Sequence, residues 1–251
     1  MSFIIQTILI FVIFSATYFG VRHIPGMDLR SLKSTSDSAG WLYSEIGLIF
    51  GVFAAFTIQA QAKEWDELLR AIREEVNSLR RLLWLSYNLP AQKAQRVNIS
   101  IFNYLDHIVH EGWKNIDSGH RSPQLEASIR LLQEEVFDLF HNNPSYAPTA
   151  ASLIHSIFES REERMFYSAK RTPMLLKGTI YMGGLMMIVL SYFIGVSNIW
   201  IDYIFTGCIA FLIILIALVI EDLEHPYRPG HWHITQEAYQ SLLEEARMPI
   251  K

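Results

Sequence analysis

Glu45-Ile-Gly-Leu-Ile-Phe-Gly-Val-Phe-Ala-Ala-Phe-Thr-Ile-Gln-Ala-Gln-Ala-Lys-Glu-Trp65 holds the residues of this chain best suited to a chemical task. Such side chains could pack helices or select among solutes, and none is placed for turnover. Gly47, Gly51 and Ala55 recur every four residues, a small-xxx-small pattern that lets a second helix approach closely in lipid. At about 100° per residue, Ile46, Phe50, Phe53, Thr57 and Glu64 fall on one stripe, pointing away from the glycines. If the glycines pack against a neighbour, that stripe faces lipid, another subunit or an axial pore. Large apolar rings around a pore gate it by size and dewetting. On the pore reading Ile46, Phe50 and Phe53 form a constriction, and Thr57 and Gln61 form its wider mouth.

Other clusters carry less. Glu221, Asp222 and Glu224 form a short acidic run, read as a cap where a membrane helix enters water. Its sharper reading is a cation site, although Ca²⁺ wants six to eight oxygens, and imidazoles such as His225, His231 and His233 suit transition metals. His107 and His110 stand three apart, not at the spacing of four used by zinc proteases. Arg161-Glu162-Glu163-Arg164 is read as an interhelical ion-pair segment, with Asp66, Glu67 or Glu74 as partners. Gly178, Gly183 and Gly184 lack the Lys-Ser/Thr of a phosphate loop, and no Ser sits in a nucleophile elbow. The chain does not read as an enzyme, and no cofactor is expected beyond the weak calcium alternative. Its single cysteine, Cys208, rules out an intrachain disulfide and a cysteine metal site. A net charge of −4 gives no basic face for nucleic acid.

Four charge-poor hydrophobic stretches must position these residues. Asp, Glu, Lys and Arg are absent from 1–21, 46–62, 178–201 and 203–220. A bilayer core of about 30 Å is crossed by about 20 apolar helical residues. The expected spans are about 3–21, 44–62, 174–195 and 200–221. The first is read as a retained helix, because Val21-Arg22-His23-Ile24 offers no small-residue cleavage site. Between the pairs, Leu68, Leu69, Ile72, Val76, Leu79 and Leu83 recur at helical spacing. No Gly or Pro separates Gly51 from Leu89, so the second span is expected to run on into water as one helix ending before Pro90. Further helices are expected at about 91–117, 123–142 and 148–171, with Ser122-Pro123 starting the middle one. The fold is therefore all-α: an N-terminal membrane pair (1–62), a helical bundle (63–173), a membrane hairpin (174–221) and a tail (222–251).

Positive charge sets the orientation. Lys63, Arg70, Arg73, Arg80 and Arg81 follow the second span, and Arg161, Arg164, Lys170, Arg171 and Lys177 precede the third. The turn between the last two spans has neither Lys nor Arg. The bundle and both termini are expected in the cytoplasm, with Arg22, Arg30 and Lys33 of the outer loop running against the rule.

The pattern of the second span resembles the DUF4239 family of bacterial membrane proteins, also called bestrophin-like. Leu89-Pro90, Trp113-Lys-Asn-Ile-Asp-Ser-Gly119, Arg161-Glu-Glu-Arg164, Tyr192-Phe-Ile-Gly195 and the segment from Glu221 through His225-Pro226-Tyr227-Arg228-Pro229 to Gly230 agree with it in order along nearly the whole chain. The resemblance implies a bacterial inner-membrane homo-oligomer, a pentamer in bestrophins, with four membrane helices per subunit, embedded in lipid and conducting small anions. It also implies a neck of apolar and aromatic residues spaced by four on the second helix. Ile46 and Phe50 fit that spacing; Ala54 is the third position, so Phe53 stands in. A calcium clasp after the fourth helix is implied for Glu221, Asp222 and Glu224. The rival reading is a non-conducting membrane scaffold or sensor whose cytoplasmic helices bind a partner protein.

Overall fold

In the computed structural model, residues 12, 15–20, 37–112, 122–141, 143–194 and 198–247 are described, and their regular structure is helical throughout. The helices are α1 (Asp37–Ser86), α2 (Ala91–His107), α3 (Pro123–His141), α4 (Ala147–Ala169), α5 (Met174–Ser191), α6 (Ile199–Glu224) and α7 (Glu237–Arg247). A five-residue π-helical turn, Ile108–Gly112, extends α2. Residues 15–20 are helical as well. The long second helix is present as expected: α1 runs for 50 residues and closes just before Pro90. Three stretches among the described residues are long and apolar enough to cross a membrane: Gly40–Ser86, Ala147–Ser191 and Ile199–Glu224. Most of the first expected span, the 22–36 loop and the Trp113–Gly119 motif lie outside the described residues.

The chain forms two compact units, residues 1–60 with 172–221 and residues 61–171 with 222–251. The first holds the apolar helices. Its outward side chains are large and greasy, with Leu48 64%, Phe56 66%, Met182 67% and Phe205 60% exposed. Such a surface is stable only against lipid or other apolar helices. Inside the unit, packing relies on small residues. A methyl group on Gly184 would lie 2.6 Å from Ile213 Cγ2, so only glycine lets α5 and α6 approach this closely. At the start of α6, buried Asp202 accepts a 2.7 Å hydrogen bond from the hydroxyl of buried Tyr18. A carboxylate at membrane depth needs such a partner, because an unpaired charge there is costly. The rings of Tyr18, Phe19, Tyr192 and Tyr203 gather around this bond.

The second unit is a water-type bundle with a conventional apolar core. The periodic face of α1 supplies Leu68, Ile72, Val76, Leu79 and Leu83, meeting Val97, Ile101 and Leu105 of α2, Ile129 and Leu132 of α3, and Ile154 and Ile157 of α4. The stretch after residue 222, expected as a plain tail, contributes α7. Its Tyr239, Leu242, Leu243 and Ala246 form one buried stripe in that core.

Candidate functional site

Helical repeat and neighbour contacts together decide what α1 offers. Between Gly40 and Ala60 the buried or half-buried positions are Tyr43, Ile46, Gly47, Phe50, Ala54, Thr57 and Ile58. The core of that set, Tyr43-Gly47-Phe50-Ala54-Thr57, steps by alternating fours and threes, the mark of one helix face. Its partners lie in α5. The Tyr43 hydroxyl donates to the carbonyl oxygen of Met187 at 3.3 Å. A methyl group on Gly47 would lie 3.1 Å from Met187 Cε. The ring of Phe50 rests on the bare backbone of Gly183 and Gly184, 3.1 and 3.7 Å from where Cβ atoms would stand. Thr57, 2% exposed, returns its hydroxyl proton to the Phe53 carbonyl of its own helix at 3.0 Å.

This geometry places most of the stripe read from sequence on the packed side of α1. Phe50 and Thr57 face inward and are committed to packing within the chain, as is most of Ile46; Gln61 is only 6% exposed. Phe53 alone of the five is exposed. The small-residue pattern splits too: Gly47 packs against α5, whereas Gly51 has no neighbour within 4 Å of a Cβ position and Ala55 is exposed. The physical reason lies in α5. Its own glycine pair makes a slot that takes the Phe50 ring, so α1 meets α5 through an aromatic ring as well as through Gly47.

The opposite face of α1 carries another apolar series spaced by four: Leu48, Val52 and Phe56, 64%, 46% and 66% exposed. Taking the Tyr43–Thr57 face as origin, they stand about 140°, 180° and 220° around the helix at 100° per residue. Exposed Glu45 and Gln59 fall on the same side, at about 200° and 160°. Sequence reasoning could have found this series from its spacing, but only the α5 contacts tell it apart from Ile46-Phe50-Ala54.

The acidic run at the end of α6 is divided among partners. The Glu221 carboxylate accepts from Lys177 Nζ at 2.6 Å. Asp222 Oδ2 accepts the backbone N–H groups of His231 and Trp232 at 2.9 and 3.1 Å, pinning the following loop. Glu224 is buried.

The Arg161–Arg164 segment forms ion pairs, with other partners than expected. Arg164 Nε donates to Glu75 Oε2 at 2.7 Å; Arg161 reaches Glu126, and Glu163 pairs with Arg70. Glu75 also accepts from the Tyr104 hydroxyl at 2.5 Å and the Tyr239 hydroxyl at 2.8 Å. Burial, together with the adjacent Glu75 charge, raises both phenols well above the usual tyrosine range. Burial alone would lower the Arg164 pKa, but Glu75 and the phenols outweigh it and hold the guanidinium charged. Every group in this network is a structural clamp of the bundle. His107 and His110 bond to carbonyls of their own helix, those of Asn103 and Asp106.

The comparisons with known proteins agree with this architecture. A model of the Bestrophin-like domain matches residues 8–239. Among solved structures, a point variant of a bacterial Bestrophin homolog from Klebsiella pneumoniae is similar at TM-score 0.73 and 13% identity, with 98% of this chain and 97% of that one covered. The same homolog solved by Zn-SAD phasing gives 0.70, at 13% identity and 96% and 94% coverage. A structure described as a membrane protein variant gives 0.75, at 13% identity and 98% and 97% coverage. No curated protein sequence matches the chain. With nearly its full length accounted for by one domain model, the chain belongs to the Bestrophin-like family.

Proposed function

We propose that this protein is an oligomeric ion channel of the bacterial inner membrane, with copies of α1 arranged around the conducting axis and the constriction formed by Leu48, Val52 and Phe56. One observation carries the reading: the face of α1 opposite its packing against α5 is exposed, apolar at its centre and polar at Glu45 and Gln59. Polar side chains on a helix surface in lipid are costly, whereas the same groups facing a water-filled axis are solvated. Three large apolar side chains one turn apart suit a neck that admits small ions one by one and closes by dewetting. Phe53 stands at the margin of this face, about 280° from the same origin, where a neighbouring subunit or lipid would meet it.

The pentameric state and a cytoplasmic placement of both termini belong to the same proposal, carried by the family and by the positive charge around the bundle. The mechanism is passive flux down an electrochemical gradient. Purified protein reconstituted in liposomes tests it. Wild type, Val52→Ala and Phe56→Ala are assayed for salt flux, and both neck variants are expected to conduct more than wild type. Background flux in all three would sink the channel reading and favour the scaffold.

A further inference from the structure

We infer that the loop after α6 is a membrane-surface anchor, in which Arg228, His231, Trp232 and His233 engage the headgroups of anionic phospholipids. The inference requires the apolar helices to lie in lipid, and does not require the chain to conduct.

The loop His225-Pro-Tyr-Arg-Pro-Gly-His-Trp-His-Ile-Thr-Gln236 contains one Arg, three His and no Asp or Glu. It is held at both ends. Tyr227 and Ile234 enter the bundle core, and the Ile234 N–H donates to the Pro226 carbonyl at 2.8 Å. Between these two anchors, residues 228–233 are all exposed. Asp222 fixes the level of this tip. It stands two residues after Ile220, where the charge-free run of α6 ends, and its carboxylate holds the N–H groups of His231 and Trp232. Trp65, three residues past the charge-free run of α1, meets the same tip. Its indole N–H donates to the Trp232 carbonyl at 3.1 Å, and the two rings stand edge to face with centroids 5.5 Å apart. Two tryptophans thus sit together just past the points where α1 and α6 leave their apolar runs. Trp concentrates at the membrane–water boundary because its ring is apolar and its N–H is polar.

Charge complementarity names the lipid. Arg228 supplies a fixed positive charge, and His231 and His233 supply ring N–H donors, for which a phosphodiester offers acceptor oxygens. The carboxylates of the same segments are engaged elsewhere. Asp222 faces backbone N–H groups, Glu224 is buried, and Glu64 pairs with Lys170 at 2.8 Å. Exposed Asp66 lies about 100° around α1 from Trp65, and Glu237 belongs to α7, beyond the buried Ile234. A choline headgroup carries a cation that a glycerol headgroup lacks, so phosphatidylglycerol suits this tip better than phosphatidylcholine.

Brominated lipids, which quench tryptophan fluorescence at short range, test this on the full chain in phosphatidylcholine nanodiscs. Brominated phosphatidylglycerol or brominated phosphatidylcholine is titrated in, and the difference between wild type and Trp232→Phe isolates the signal of Trp232. Wild type should reach half-quenching at about fivefold less phosphatidylglycerol than phosphatidylcholine, the effect of one basic residue near an anionic surface. Arg228→Gln should close most of that gap, and Arg228→Lys should keep it. His231→Gln/His233→Gln should narrow it by a smaller factor. Added inorganic phosphate should leave the wild-type gap in place. Identical quenching of wild type and Trp232→Phe would show that the tip stands away from lipid and overturn the inference. So would equal quenching by the two lipids, or a gap that neither the Arg228→Gln nor the histidine variant changes. Loss of the preference in phosphate would assign the tip to free anions and overturn the lipid. None of these outcomes bears on conduction, which the salt-flux assay decides separately.

Discussion

Glu75 and Arg164 meet Oε2 to Nε at 2.7 Å, at 0% and 1% side-chain exposure, in the centre of the helical bundle. Tyr104 and Tyr239 complete the coordination of the same carboxylate, so one buried charge binds α1, α2, α4 and α7 together. A buried pair of this kind gains little over apolar packing, but removing one partner strands the other charge. Arg164→Leu and Glu75→Leu should therefore each cost about 3–5 kcal/mol of bundle stability. The double variant should recover part of that loss, read by chemical denaturation in detergent. Additive losses would show that the two groups do not depend on one another.

Alkaline pH probes the same clamp. Tyr104 and Tyr239 titrate well above the ordinary value of 10.0 in the folded chain. Their folded pKa values are raised, so the stability they confer is complete below pH 10 and is lost as pH climbs through the folded values. The melting temperature of wild type should fall steeply above pH 10. Tyr104→Phe/Tyr239→Phe should start lower at pH 7 and fall less steeply. Parallel curves would refute the assignment.

Gly184 tests the α5–α6 approach. Gly184→Ala places a methyl group 2.6 Å from Ile213 Cγ2 and should destabilise the hairpin by about 1–3 kcal/mol. Ile213→Ala should partly rescue it in a double-mutant cycle, since contacting residues couple. Independent effects of the two changes would show that the helices do not meet there.

Asp222 and Gly230 form a tight loop latch in which a Cβ at 230 would lie 1.8 Å from Asp222 Oδ1. Gly230→Ala and Asp222→Ala should each release the two N–H bonds of His231 and Trp232, at about 1–3 kcal/mol. Limited proteolysis should then cut the 225–236 loop faster than in wild type. Equal cleavage rates would remove the latch.

Cysteine accessibility distinguishes the two faces of α1. On a Cys208→Ser background, Leu48→Cys, Val52→Cys and Phe56→Cys should react with a small water-soluble thiol reagent. Ala54→Cys and Thr57→Cys, at positions 2% exposed in wild type, should not. The reverse ranking would restore the Ile46-Phe50-Thr57 stripe to the axis.

The sequence by itself determined the helical class, the single continuous helix from the apolar segment into the bundle, and three of its four expected spans, the three that the described residues show as long apolar helices. These properties are local: hydrophobic length, 3.6-residue period and the absence of Gly or Pro leave few alternatives. It did not reveal α7, whose Tyr239-Leu242-Leu243-Ala246 stripe was short enough to pass for tail. Nor did it decide which side of α1 packs. In lipid both the packed and the exposed faces are apolar, so periodicity gives the repeat but not its phase. The phase was set by Gly183 and Gly184, more than 120 residues away, whose missing side chains leave room for the Phe50 ring. The partner of Arg164 was likewise a matter of tertiary structure. Glu74 and Glu75 are neighbours in sequence, and only the turn of α1 relative to α4 buries the second and leaves the first in water.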